Sequence, residues 1–192
     1  MIYMIGGAPR SGKSILGQQI AANLRIGWMA TDILLDLLRF KGVEGVKTEW
    51  NADPGAIAAA AEWFFPSLER LLWGVSSMAD HYLIEGVDFL PVQIERLAGK
   101  YPLRAVFLGR SRMTLDQFDH FPGRSKGYAD LPEARRQEIA RDVPRWSEFI
   151  REEAERCGCA YVDTSGDFRA ALSRAESVLS DGRGSTGRLL EK

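Results

Sequence analysis

The chain has 192 residues and a net charge of −1, with 45% hydrophobic and 27% charged residues, the make-up of a globular domain long enough for a real core. That near-neutral balance excludes a global pull toward nucleic acid or an anionic membrane, so any basic function has to be local. No run approaches the roughly 20 apolar residues of a membrane span and no basic leader opens the chain, so a cytoplasmic protein is expected, with neither nucleic acid nor membrane as partner.

The first element is an apolar run over residues 2–5, read as a buried strand, and GGAPRSGKS follows from Gly6 to Ser14. Gly7, four residues, then Gly12-Lys13-Ser14 fit G-x-x-x-x-G-K-[ST], the phosphate-binding loop. Glycines permit unusual φ/ψ, so the backbone of Gly7, Ala8, Pro9, Arg10, Ser11 and Gly12 can wrap around an anion with its N–H groups turned inward. The helix expected over 13–24 adds its positive end. Lys13, taken as an exposed loop lysine, is a candidate for the β- and γ-phosphates of ATP, and the Ser14 hydroxyl for Mg²⁺. Ile15, Leu16, Ile20 and Leu24 recur at helical spacing behind it.

A strand over 26–30 ends in Thr31-Asp32, and a helix is expected over 33–40. In a parallel α/β sheet the carboxyl ends of strands line the ligand crevice, which puts Asp32 beside Ser14. Asp32 is either the base that takes a proton from an attacking hydroxyl or the N-cap of its helix. Asp36 and Arg39 share its helix face, so Arg39 either clamps an anionic substrate or pairs with Asp36. Residues 41–53 form a polar connection, and 54–79 a long helix interrupted by Pro66, which should kink or break it.

A strand over 82–84 carries Glu85 at its carboxyl end, as a holder of the Mg²⁺ shell or simply a solvated strand-end acid. Gly86 allows a sharp turn, and Asp88 is a candidate for substrate contact. Helix over 92–97, strand over 104–108 and helix over 113–118 precede a polar connection at 121–131. Pro144 should kink or break the helix over 133–157. A strand over 160–162 and a helix over 166–179 follow, the last with Phe168, Ala171, Leu172, Ala175, Val178 and Leu179 on one apolar face. Alternating strands and helices predict a parallel sheet. Cys157 and Cys159 stand far from His81 and His120 and make no zinc pattern; a buried thiol pair is expected.

GTPase N-K-x-D and transporter-ATPase L-S-G-G-Q signatures are both missing, which favours a small phosphoryl-transfer enzyme. IGGAPRSGKS, ATDILLDLLR, LIEGVDFLP and YVDTSGDFRAAL together resemble the small phosphate-loop kinases, among them nucleoside monophosphate kinases, shikimate and gluconate kinases, and 2-phosphoglycerate-kinase-like proteins. The resemblance covers most of residues 1–179 and implies a five-stranded parallel sheet of order 2-3-1-4-5, ATP with Mg²⁺, and an arginine-bearing lid after the fourth strand. Residues 1–181 then form the kinase domain, with a lid about 110–131 and a flexible tail over 182–192. Arg124, bracketed by Gly123 and Gly127, is the expected lid arginine; Arg141 and Arg145 are further candidates, and Arg135 and Arg136 are expected on a solvated helix surface. VDTSGD resembles the loop that packs adenine, mostly through backbone. Unlike nucleotide kinases, residues 41–79 contain only Lys41, Lys47 and Arg70 as cations. A hydroxyl acceptor needs a base whereas a phosphate does not, so Asp32 argues for a hydroxyl-bearing small molecule, with a nucleotide kinase or a slow ATPase switch as alternatives.

Overall fold

The computed structural model describes residues 1–46, 52–120 and 131–181. The chain runs β1 (Ile2–Gly7), α1 (Lys13–Leu24), β2 (Gly27–Ala30), α2 (Thr31–Phe40), α3 (Pro54–Met78) and β3 (Tyr82–Glu85). It continues through α4 (Pro91–Ala98), β4 (Leu103–Gly109), α5 (Asp116–His120), α6 (Glu133–Arg156), β5 (Ala160–Asp163) and α7 (Phe168–Asp181). The five strands form one parallel sheet in the expected order, β2-β3-β1-β4-β5.

Met4 and Ile5 explain the layering. Successive strand residues face opposite sides, and these two are both fully buried but belong to different cores. A strand covered on both faces reads as a continuous apolar run instead of an alternation, as the opening segment does. On one face Met4 and Phe107 pack with Leu68 of α3, Leu97 of α4 and Ile150 of α6. On the other, Ile5 and Val106 pack with Leu16 and Ile20 of α1 and Ala171 and Ala175 of α7. A small third cluster of Phe118, Ile139 and Val143 joins α5 to α6.

Several expectations are adjusted. Pro66 and Pro144 each lie inside a helix that continues past them, of 25 and 24 residues. Each proline forfeits one backbone bond, a cost of about 3 kcal/mol or more. Buried neighbours offset it, Phe64, Phe65 and Leu68 around Pro66 and Val143 and Trp146 around Pro144. Ile15 and Leu24 follow the helical period of α1 yet are 42% and 50% exposed, since only the Leu16–Ile20 stripe faces the sheet. The last helix keeps its expected apolar face. Cys157 and Cys159 are both buried free thiols, as expected.

No helix among the described residues is long and apolar enough to cross a membrane. The expected lid arginine Arg124, its flanking Gly123 and Gly127, Lys47 and the expected tail 182–192 lie outside the described residues.

Candidate active site

The phosphate loop follows β1 because β1 ends where the backbone can no longer be extended. Gly7 and Gly12 have φ of 129° and 96°, values that a side chain would strain. A Cβ on Gly7 would also lie 2.0 Å from the Leu108 carbonyl oxygen, while the Ala8 N–H donates to that same oxygen at 2.9 Å. Arg10 has φ 63°, and its guanidinium lies 4.9 Å from the centre of the Phe118 ring, a cation–π contact tying the loop to α5. Inside the loop, Ser11 Oγ donates to the Ala8 carbonyl at 2.8 Å.

Lys13 corrects an expectation. It is not an exposed loop lysine but only 6% exposed, its Nζ donating to the Ala8 carbonyl at 2.7 Å. Burial lowers its pKa, against the opposing pull of Glu85, Asp32 and Asp88. Those three carboxyl groups therefore all act on Lys13 from separate elements.

Glu85 is also buried, at 3% exposure, so it is not a solvated strand-end acid. The Ser14 hydroxyl donates to Glu85 Oε1 at 2.8 Å. Burial raises the Glu85 pKa, partly countered by Lys13 and by the Ser14 hydrogen bond. The parallel register makes this meeting possible, pairing Glu85 with Ile5 on one side and with Ala30 on the other. A hydroxyl and a carboxylate oxygen side by side suit a hard cation such as Mg²⁺, which uses one or two protein oxygens together with phosphates and water. Among the described residues no group of three or more histidine, cysteine or acidic side chains gathers to hold a metal by itself.

Asp32 occupies the first turn of α2, which begins at Thr31 with Ala30 as its N-cap. The capping alternative for Asp32 is thereby overturned: helical geometry already includes Thr31, and an acid one residue inside a helix faces its positive end without capping it. Thr31 was not anticipated as a site residue. It is fully buried, and its hydroxyl donates to Asp88 Oδ2 at 2.6 Å. A Cβ on Gly86 would fall 1.8 Å from Thr31 Oγ1, so only glycine lets the turn after β3 close against α2. Burial pushes the Asp88 carboxyl up to about 6, despite the hydrogen bond from Thr31. The signal for this latch was local and faint: a threonine directly before the predicted helix and an acid after a glycine.

Arg39 pairs with Asp36 at 2.7 Å on the exposed face of α2. With Asp32, Ile33 and Leu35 these two line an open depression of about 400 Å³, so the shared face of Asp32, Asp36 and Arg39 is present. At the other end of the sheet, the Ser165 hydroxyl and N–H both donate to Asp163 Oδ1, at 2.7 and 2.9 Å, and Ser111 Oγ donates to Asp163 Oδ2. The Arg112 N–H donates to Ser165 Oγ at 2.9 Å. In the VDTSGD loop, side chains thus do the fastening, through turn chemistry that serine and aspartate favour. Arg110 is held by Gln117, its Nε donating to Oε1 at 3.1 Å. Arg135 pairs with Glu138 and is half-buried, as is Arg136, so neither is fully solvated as expected. Arg145 stands 3.9 Å from Asp142.

No protein-family model matches the chain, and no curated protein matches its sequence. Solved structures do match. Shikimate kinase from Bacteroides thetaiotaomicron is 15% identical, covering 94% of this chain and 98% of its own, with a TM-score of 0.53. A gluconokinase from Sinorhizobium meliloti 1021 is 14% identical, covering 94% and 92%, with a TM-score of 0.51. Shikimate kinase from Acinetobacter baumannii, in complex with shikimate, is 17% identical over 93% and 90%, with a TM-score of 0.50. The narrower resemblance to 2-phosphoglycerate-kinase-like proteins rests on the sequence alone. With its sheet order, its loop after β1 and these likenesses together, the chain has the small phosphate-loop kinase fold of shikimate kinase.

Proposed function

We propose that this protein is an ATP-dependent phosphotransferase that phosphorylates a hydroxyl of a small-molecule acceptor. The observation that carries the reading is the meeting of Ser14 and Glu85 at 2.8 Å beside a buried Lys13 on which Asp32 also acts. The likeness of the fold to shikimate kinases and a gluconokinase, both small-molecule kinases by name, supports it. The kinase domain would span residues 1–181, with the lid about 110–131.

In this reading the loop from Gly7 to Ser14 holds the phosphates by backbone and by Lys13. Ser14 and Glu85 hold Mg²⁺, which when bound neutralises phosphate charge and orients the phosphates. Asp32 accepts the proton of the acceptor hydroxyl as its oxygen bonds the terminal phosphorus; the bond from that phosphorus to the bridging oxygen breaks, and ADP leaves. Asp88 and Arg39 contribute to the acceptor side, and Arg124 would supply positive charge to the transferred group.

The test is ADP release from ATP with Mg²⁺ across a panel of hydroxyl-bearing metabolites, set against the water background. Release above background, with phosphate recovered on the metabolite, is the expected result. A panel of nucleoside monophosphates responding in its place would favour the nucleotide-kinase alternative. Release never above background would favour the slow ATPase switch.

A further inference from the structure

The Thr31 hydroxyl is used outside its own helix. Serine and threonine hydroxyls commonly bond to backbone groups a few residues away. Thr31, the first residue of α2 after its N-cap Ala30, instead donates to Asp88 Oδ2 at 2.6 Å, 57 residues along the chain. It is fully buried, and a hydroxyl has a single hydrogen to give. The parallel register sets up the meeting, since Ala30 at the end of β2 lies beside Glu85 at the end of β3.

The turn that carries Asp88 is fixed on both sides. The Gly86 N–H donates to the Ile5 carbonyl of β1 at 3.1 Å, and Phe89 packs edge to face on Phe107 of β4, ring centres 6.1 Å apart. Phe89 and Leu90 are both buried. Packing therefore sets the backbone around Asp88, and the bond from Thr31 sets one oxygen of its side chain. A carboxylate has about four lone-pair sites on two oxygens, of which Thr31 takes one. Asp88 acts on Lys13, and Asp32, Lys13 and Glu85 act on Asp88 in turn, so the carboxylate stands among the groups that the kinase reading uses. Fixing a side chain before the ligand arrives spares the ordering cost at binding.

Resting on the kinase reading above, in which Asp88 serves the acceptor, we infer that Thr31 is a positioning residue whose buried hydroxyl sets the Asp88 carboxylate for the acceptor. A purely structural tie between the ends of β2 and β3 would serve nucleotide and acceptor alike, because Glu85 of β3 meets Ser14 of the phosphate loop. A positioning role is confined to the acceptor.

The experiment measures ADP release by the full chain with ATP, Mg²⁺ and a panel of shikimate, gluconate, glycerol and glucose, followed on the best acceptor. Calorimetry gives the ATP affinity of each variant. Thr31→Val should raise the acceptor KM roughly tenfold, the factor that 1.4 kcal/mol represents, with ATP affinity unchanged. Thr31→Ser keeps the hydroxyl and should keep the parental KM. In an Asp88→Ala background, whose own KM is raised, Thr31→Val should change nothing further. A parental KM in Thr31→Val, a fall of ATP affinity in step with the acceptor's, or the same tenfold loss in the Asp88→Ala background overturns the inference and leaves the kinase reading intact. If Thr31→Val does not fold, a raised KM in folded Thr31→Ser overturns it equally. No transfer to any panel member from parent protein that binds ATP overturns the kinase reading and this inference with it.

Discussion

The two ends of the proposed reaction are built in opposite ways. At the phosphate loop the working groups are backbone N–H groups and a buried lysine, locked between β1, β4 and α7; Phe168 of α7 stands where a Cβ on Gly12 would fall. On the acceptor side Asp32 and Arg39 are exposed side chains on one amphipathic helix, Arg39 held by an ion pair open to water. A phosphate is the same in every nucleotide, so a rigid, sequence-encoded cradle suffices for it. An acceptor differs from enzyme to enzyme, and side chains on a helix surface can change without disturbing the fold. Removing a loop group should therefore abolish function with little change of specificity. Removing an α2 group should alter specificity or the proton transfer while nucleotide binding persists.

The largest expected effect tests that division at Asp32. Asp32→Asn removes the proton acceptor and leaves the cap unaffected, since Ala30 holds that position. Transfer should fall by roughly 10²–10⁴-fold with ATP affinity retained. Parental turnover of a genuine hydroxyl acceptor would sink the base assignment. Lys13→Ala comes next, with turnover expected to drop about 10²–10³-fold, the usual worth of one charge-stabilising donor. Because Lys13 is buried and is the countercharge of buried Glu85, its removal should also lower the Tm, and thermal melts of the variant would separate that loss from the loss of turnover.

Gly86→Ala probes the latch between the two ends. Its methyl would meet the Thr31 side chain, and overpacking of this kind costs about 1–3 kcal/mol. A lowered Tm and impaired transfer are both expected, and an unchanged Tm would show that the turn has room to spare.

A pH series sharpens the same contact. Asp88 has its folded pKa raised from 3.8 to about 6, so the folded state holds a proton that the unfolded state has lost between those values. Stability from this group is present below pH 4 and is lost as pH rises toward 6. The Tm of Asp88→Asn should therefore gain on that of the parent across pH 4–6.5, and parallel profiles would contradict the shift. The smallest effect is on the fold at Arg39. Arg39→Ala should alter stability by no more than about 0.5–1 kcal/mol, as exposed pairs do, and calorimetry can set that limit.

Much of the loop after β1 was legible in advance because its constraints are local. Positive φ at Gly7 and Gly12, the lysine and serine that follow, and an apolar run ahead of them all sit within a few residues, where spacing speaks directly to backbone geometry. The alternation of strands and helices likewise follows from periodicity, which each segment carries on its own. The bond from Ser14 to Glu85 spans 71 residues and that from Thr31 to Asp88 spans 57. Both depend on parallel register: a slip of one residue would turn Glu85 to the other face of the sheet. The burial of Lys13 and the start of α2 at Thr31 are also set by what packs around them. Local spacing in the sequence determined which groups are available; only tertiary register decided which of them meet, because strand ends far apart in the chain are brought together by hydrogen bonds that no single segment contains.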